Sequence, residues 1–127
     1  MIFVFLPLTK LSEKVSYELS KGVVYGLHTG LAFEMSSDVA MLVLPRSGLA
    51  TKKMLRPANT PGLVDSDYRG ELIVMMENFG TETQRIEPGE RIAQIVFINP
   101  LVMDFQVVDE LGETERGTGG FGSTGTN

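Results

Sequence analysis

Asn59-Thr60-Pro61-Gly62-Leu63-Val64-Asp65-Ser66-Asp67-Tyr68-Arg69-Gly70 runs directly into Glu71-Leu72-Ile73-Val74-Met75-Met76, and the chain is organised around that junction. Asn, Pro and Gly at the start force a tight bend. Leu63 and Val64 follow, then two carboxylates, a tyrosine and an arginine within five positions. The next six residues are apolar and β-prone enough for a strand. A turn that holds a carboxylate and an aromatic beside a buried strand suits a small ligand. The same residues also suit a hairpin whose acids and arginine merely cap the turn in water. The stretch alone leaves both readings open.

Outward from this point, strand signals are many and helix signals few. Residues 2–8, 23–27, 31–35 and 39–44 read as strands, the second and third separated by a His28-Thr29-Gly30 turn. Residues 71–76 and 91–98 carry the strongest strand patterns, and 102–108 reads as another. Glu87-Pro88-Gly89-Glu90 has Pro then Gly at the central positions, as a type II turn requires. Residues 9–21 are polar and weakly periodic, which predicts loop or one short helical turn. Residues 52–54 with Arg56 form a basic patch, predicting a solvated loop. Many short strands without a long amphipathic helix indicate an all-β sandwich or barrel. There is no internal repeat. The glycine-rich end, Gly117 to Gly125, cannot build a core and predicts a mobile tail.

At 127 residues the chain fits one domain with a core of its own. Apolar content of 43% and charged content of 21% are those of an ordinary soluble globule. The absence of cysteine excludes disulfides, thiolate chemistry and cysteine-ligated zinc. One histidine, His28, excludes a multi-histidine metal centre, and nothing near it resembles a nucleophile elbow. A net charge of -5 argues against broad nucleic-acid binding. No apolar run reaches membrane-spanning length, and the hydrophobic start lacks the basic residues and cleavage site of a signal peptide. The expectation is a cytoplasmic protein that binds neither membrane nor nucleic acid.

Four stretches can carry chemistry. Pro45-Arg46-Ser47-Gly48-Leu49-Ala50 sets a guanidinium, a hydroxyl and a glycine at the end of a buried strand, a combination suited to phosphate oxygens. It also suits a plain strand-end turn with a surface arginine. Gly89-Glu90-Arg91-Ile92-Ala93-Gln94 places Gln94 inside an apolar strand, where a buried amide needs partners from the core or from a ligand. The junction at Asp65 and Tyr68 is the third. Arg116 with the glycine-rich end is the fourth; without a lysine or a following helix it is not a P-loop. Phe121, isolated among glycines, either stacks on something or is a weak anchor to the surface.

In this order, Pro-Arg-Ser-Gly-Leu, Val-Asp-Ser-Asp-Tyr-Arg-Gly, Gly-Glu-Arg-Ile-Ala-Gln and Arg-Gly-Thr-Gly-Gly-Phe-Gly-Ser-Thr-Gly resemble the trimeric deoxyuridine triphosphatases (dUTPases) from about Tyr17 to Gly125. The resemblance implies an all-β jelly roll (β-clip) at residues 1–115. It also implies a mobile tail, 116–127, that closes a neighbouring subunit's active site in a homotrimer with shared sites. It implies hydrolysis of dUTP to dUMP and pyrophosphate, with Mg2+ carried on the triphosphate. Asp65 resembles the catalytic carboxylate that orients and activates water. Tyr68 resembles the ring under the deoxyribose that leaves no room for a 2′-hydroxyl. Asn59, Gly62, Leu63 and Val64 resemble the uracil pocket. Arg46, Ser47 and Gly48 resemble the phosphate clamp, with Gln94 near the α-phosphate. Arg116, Gly122, Ser123 and Thr124 resemble the tail's contacts around the γ-phosphate, and Phe121 the ring that stacks on uracil. Asp67 is expected to brace Arg69 or the turn.

The chain departs from the family in one respect above all. The earlier Ala-Gly-x-Asp-Leu motif, whose aspartate helps hold magnesium's water shell, is missing, and the first sixteen residues contain no aspartate. Loss of such a carboxylate weakens cation recruitment by about 1–3 kcal/mol, and no pattern selects Glu13, Glu18 or Glu34 as a substitute. His28 stands where proline is usual and reads as a turn residue; Met54 stands where glycine is common. A catalytically weak nucleotide-binding relative, regulatory or structural in role, is the alternative to an active enzyme. A dCTP deaminase relative fits less well, because Val-Asp-Ser-Asp-Tyr has the dUTPase form.

Overall fold

A computed structural model describes residues 4–7, by backbone alone, and 16–120. Two three-stranded sheets face one core. One comprises β3 (Val24–His28), β8 (Ile73–Asn78) and β6 (Leu55–Pro57), in that order; the other comprises β10 (Gln94–Ile98), β5 (Ala40–Leu44) and β7 (Gly62–Val64). Two ribbons complete the fold, β1 (Val4–Pro7) with β4 (Leu31–Glu34) and β2 (Tyr17–Leu19) with β9 (Gln84–Ile86). Every ladder is antiparallel. One short helix, α1 (Ser47–Lys53), follows β5. The all-β jelly-roll expectation is met.

Strand β8 sits in the middle of its sheet because it pairs with β3 on one side and β6 on the other, and its side chains alternate. Val74, Met76 and Asn78 are buried, whereas Ile73 and Met75 face outward. Val74 and Met76 meet Leu27, Met41, Val43, Leu55 and Leu19 in a single cluster that also takes in Ile86 and Leu49. Each fully buried Leu or Met contributes about 1.5–3 kcal/mol relative to exposure. Asn78 is the one buried polar side chain among the described residues, and its amide is fully bonded.

Several expectations need correction. Residues 17–19, expected as loop or helical turn, form β2, because their partner is Gln84–Ile86 far downstream. The expected loop at 52–54 ends helix α1. Leu49, Ala50, Lys52 and Lys53 all favour helix, and the two lysines sit in the last turn where the dipole favours cations. The strand expected at 71–76 begins at Ile73 and runs to Asn78, because Glu71 and Leu72 are engaged by the turn after β3. The strand at 91–98 begins only at Gln94, and its Ile95, Val96 and Phe97 are about 40% exposed rather than buried. No strand forms at 102–108. A strand requires a ladder partner and this segment has none among the described residues; Phe105 and Val107 are each 98% exposed. The expected strand at 2–8 is represented by β1, its ends lying outside the described residues.

His28, expected in the turn, is the last residue of β3, paired with Ile73; other local readings hold. Gly30 takes φ 71 in the turn after β3, although the flanking strands then join different partners, β8 and β1. Gly89 has φ 81 and Glu90 N–H donates to Glu87 O at 3.0 Å, a type II arrangement. Met54 ends α1 in the left-handed region (φ 53, ψ 39), its N–H donating to Leu49 O. That conformation costs an L-residue with a Cβ about 1–2 kcal/mol, which explains the usual glycine. Met54→Gly is therefore expected to raise stability by about 1 kcal/mol after the entropy added to the unfolded chain. A higher urea midpoint at unchanged m is the check; an unchanged or lower midpoint refutes it.

No helix among the described residues is long and apolar enough to cross a membrane.

Candidate functional site

The turn after β6 is built by backbone bonds. Ala58 N–H donates to Met75 O at 2.6 Å and Thr60 N–H to Pro57 O at 3.3 Å, ahead of a cis Thr60–Pro61 peptide. The chain then enters β7, where Gly62 lies opposite Val43 and Val64 opposite Met41. A Cβ at Gly62 would only touch Asn59 and Val43 at about 3.5 Å, so this glycine is accommodated rather than demanded. Beyond β7, Tyr68 N–H donates to Asp65 O at 3.2 Å and closes the turn that carries both side chains. An open pocket of ≈ 230 Å³ lies between this turn and the start of β8. Asn59, Gly62, Leu63, Val64, Asp65 and Tyr68 all line it. The volume is below the ~300–1,000 Å³ typical of drug-sized ligands, and so suits part of a nucleotide rather than all of it.

The other expected site residues lie elsewhere. Arg46 donates from Nη1 to Arg91 O at 2.8 Å, and Gln94 from Nε2 to Pro45 O at 2.9 Å. Both therefore gather at the C-terminal end of β5 with Ser47 and Gly48, the latter with open space around it. None of the four lines the pocket. Gln94 is exposed at the first position of β10, not buried within the strand. Arg116 donates from Nε to Gly119 O at 2.8 Å, closing a local turn at the start of the tail. Phe121, Gly122, Ser123 and Thr124 lie outside the described residues. Arg69 is braced by the carbonyls of Ser66 and Tyr68, at 2.7 and 3.2 Å, and among the described residues no ion pair joins it to Asp67.

Glu71 was legible only as a strand residue, yet it lines the pocket and anchors it. Its carboxylate accepts from Gly30 N–H at 2.8 Å and from His28 Nδ1 at 2.9 Å; a carboxylate only accepts, so Nδ1 carries the proton. The His28 bond, then the Gly30 bond, hold the Glu71 carboxyl below its ordinary range. Burial pushes Glu90 upward, but Lys53 Nζ at 2.6 Å and Glu87 N–H outweigh it and lower it, tying α1 to the β9–β10 turn. A lowered folded value means Glu71 stabilises the fold above its unfolded value near ~4.3, and that this stabilisation is lost as pH falls through the folded value. Wild type is therefore expected to exceed Glu71→Gln in urea midpoint at pH 6 and to converge with it toward pH 3. A constant difference across that range would show that the carboxylate charge is not responsible.

A family model described as dUTPase matches residues 10–125. The chain belongs to the dUTPase family. It is 54% identical over 97 residues to the deoxyuridine 5'-triphosphate nucleotidohydrolase of Treponema denticola, covering 76% of this chain and 67% of that protein. The fold is that of the Staphylococcus bacteriophage 80alpha dUTPase with dUPNHPP, with a TM-score of 0.82 at 22% identity over 98% of this chain and 99% of that one. The dUTPase from Streptococcus mutans superposes with a TM-score of 0.66 at 30% identity, over 71% of this chain and 75% of that one. Within this dUTPase, one chain thus assembles the residues of one pocket and holds a second cluster apart from them.

Proposed function

We propose that this dUTPase hydrolyses dUTP to dUMP and pyrophosphate, keeping uracil out of DNA and supplying dUMP, in the cytoplasm. The observation that carries the reading is the convergence of Asp65, Tyr68 and the β7 backbone on one pocket. Strand β7 is the edge of its sheet, so its outward N–H and C=O groups have no ladder partner among the described residues. Uracil presents acceptor, donor, acceptor along O4, N3–H and O2, a pattern that alternating strand-edge groups can satisfy. The Tyr68 ring then packs under the deoxyribose and closes the space a 2′-hydroxyl would need. Asp65 takes the proton from a water whose oxygen bonds to the α-phosphorus as the bond to the β-phosphate bridge breaks. Pyrophosphate leaves with the bridging oxygen.

The site is completed by other copies of the chain. Antiparallel pairing puts Gly62 beside Val43, near the Arg46 cluster, and Asp65 beyond the Met41–Val64 pair, roughly 10 Å further along the strand. A clamp formed by Arg46, Ser47, Gly48 and Gln94 of another protomer would meet the phosphates at the Asp65 end. Arg116, Phe121, Gly122, Ser123 and Thr124 of a third would close the site. The apolar side chains left exposed on β10 and at 101–111 support this homotrimer, since large apolar groups left in water favour burial against another copy. Among the described residues no three His, Cys, Asp or Glu side chains cluster. Magnesium is proposed to bind through the triphosphate oxygens and water, the usual habit of that cation. When bound, the cation neutralises the triphosphate.

Pyrophosphate release from dUTP across a magnesium titration, with dTTP, dCTP and UTP as controls, tests the reading. Release selective for dUTP is expected. Nucleotide binding without release would make the chain a dUTPase fold kept for something other than hydrolysis.

A further inference from the structure

Tyr68 has no socket in the core. It is 47% exposed, and its hydroxyl is held by a single acceptor, Glu71 O, at 3.0 Å. The ring reaches that acceptor by folding back over Gly70. A Cβ at Gly70 would overlap the Tyr68 hydroxyl and lie 2.5 Å from its Cζ. Gly70 is not among the glycines with positive φ, so a Cβ here would meet no backbone penalty but would have to push the Tyr68 ring aside. The acceptor, by contrast, is fastened. The Glu71 carboxylate takes the Gly30 N–H and the His28 ring, Leu72 N–H donates to Leu31 O at 2.7 Å, and Thr29 Oγ1 donates to Leu72 O at 2.6 Å. Four bonds thus lock residues 71 and 72 onto the turn between β3 and β4, and the exposed ring inherits its place from them.

We propose that Gly70 and Glu71 are positioning residues that set the preference for deoxyribose over ribose, Gly70 by leaving room for the Tyr68 ring and Glu71 by fixing the carbonyl that holds it. The proposal rests on the reading of the pocket as a dUTP site. A ring pushed off Gly70, or tethered to a loosened carbonyl, no longer walls off the 2′ position. Pocket walls of this kind discriminate by roughly 10–200-fold, so their displacement is measurable.

The test is calorimetric affinity for dUpNHpp and its ribonucleotide counterpart, read as a ratio, with pyrophosphate release from dUTP and UTP alongside. Gly70→Ala is expected to lower the deoxy-to-ribo ratio about tenfold or more, with an unchanged thermal midpoint because the ring is half-exposed. Glu71→Ala should move the ratio in the same direction. Glu71→Gln should recover part of it, since the amide oxygen still accepts from Gly30. A merely structural role would lower both affinities together and leave the ratio alone. Wild-type preference retained within twofold in both Gly70→Ala and Glu71→Ala would overturn the proposal while leaving the dUTP site intact. A wild-type chain with affinity for neither analogue would overturn the site and the proposal together. Should Gly70→Ala not fold, the Glu71 pair decides.

Discussion

Asp65→Asn is expected to reduce dUTP turnover by about 10²–10⁴-fold, the usual contribution of a positioned general base, while leaving nucleotide affinity within a few-fold of the parent. Asparagine preserves the shape of the side chain. The bond that shapes the turn runs from Tyr68 N–H to the backbone carbonyl of residue 65 and does not involve the side chain. The pocket lined by Asn59, Gly62 and Tyr68 should therefore survive. What is lost is a proton acceptor, because an amide does not take up the water proton at neutral pH. Removing one negative charge beside a polyanion also relieves a repulsion, which works against any loss of affinity. Single-turnover pyrophosphate release and calorimetry with dUpNHpp separate the two effects. Turnover at the parental rate would remove Asp65 from the catalytic role; loss of binding would make it a structural member of the pocket.

Asn78→Ala is expected to cost about 2–4 kcal/mol of stability, from the partners it strands. Asn78 is 1% exposed on the inner face of β8. Its Nδ2 donates to Leu19 O at 2.8 Å and Glu82 O at 2.7 Å, and its Oδ1 accepts from Gly80 N–H at 2.9 Å. Alanine leaves two carbonyls and one N–H without that partner and opens a cavity beside Met76. Asn78→Asp should be worse, since an ionised carboxylate offers no donor and turns its charge toward two carbonyl oxygens. Against a typical total of 5–15 kcal/mol, either change takes a large share. Urea midpoints at constant m measure it. A loss below 1 kcal/mol for Asn78→Ala would mean that water replaces the amide and that Asn78 does not hold β2 to β8.

Asn78 also illustrates why part of this fold was illegible in one dimension. Beyond the apolar run 71–76 it reads as a polar strand end, and nothing nearby announces a partner 59 residues away. Strand β2 is hidden in the sequence for the same reason: its three residues acquire strand geometry only by pairing with Gln84–Ile86. Helix α1 was hidden behind a Ser-Gly pair that looks like a turn. At the site, Asn59 to Tyr68 was legible because turn chemistry, a carboxylate and an aromatic lie within ten residues. Gly70 and Glu71 were not, since their importance comes from His28, Thr29 and Gly30 across the β3–β4 turn.

The sequence by itself determined the β class, the turns at Gly30 and Gly89, the buried run at 39–44 and the motif order that identifies the family. Each of these is written in local alternation, glycine placement or contiguous residues. Only the tertiary structure decided that Asp65 and Tyr68 share a pocket from which Arg46 and Gln94 of the same chain stand apart. It alone decided, too, that the apolar segment near 105 has no strand partner among the described residues. The physical reason is common to all of these: ladder partners and desolvated neighbours are chosen across dozens of residues, by burial that no local stretch can register.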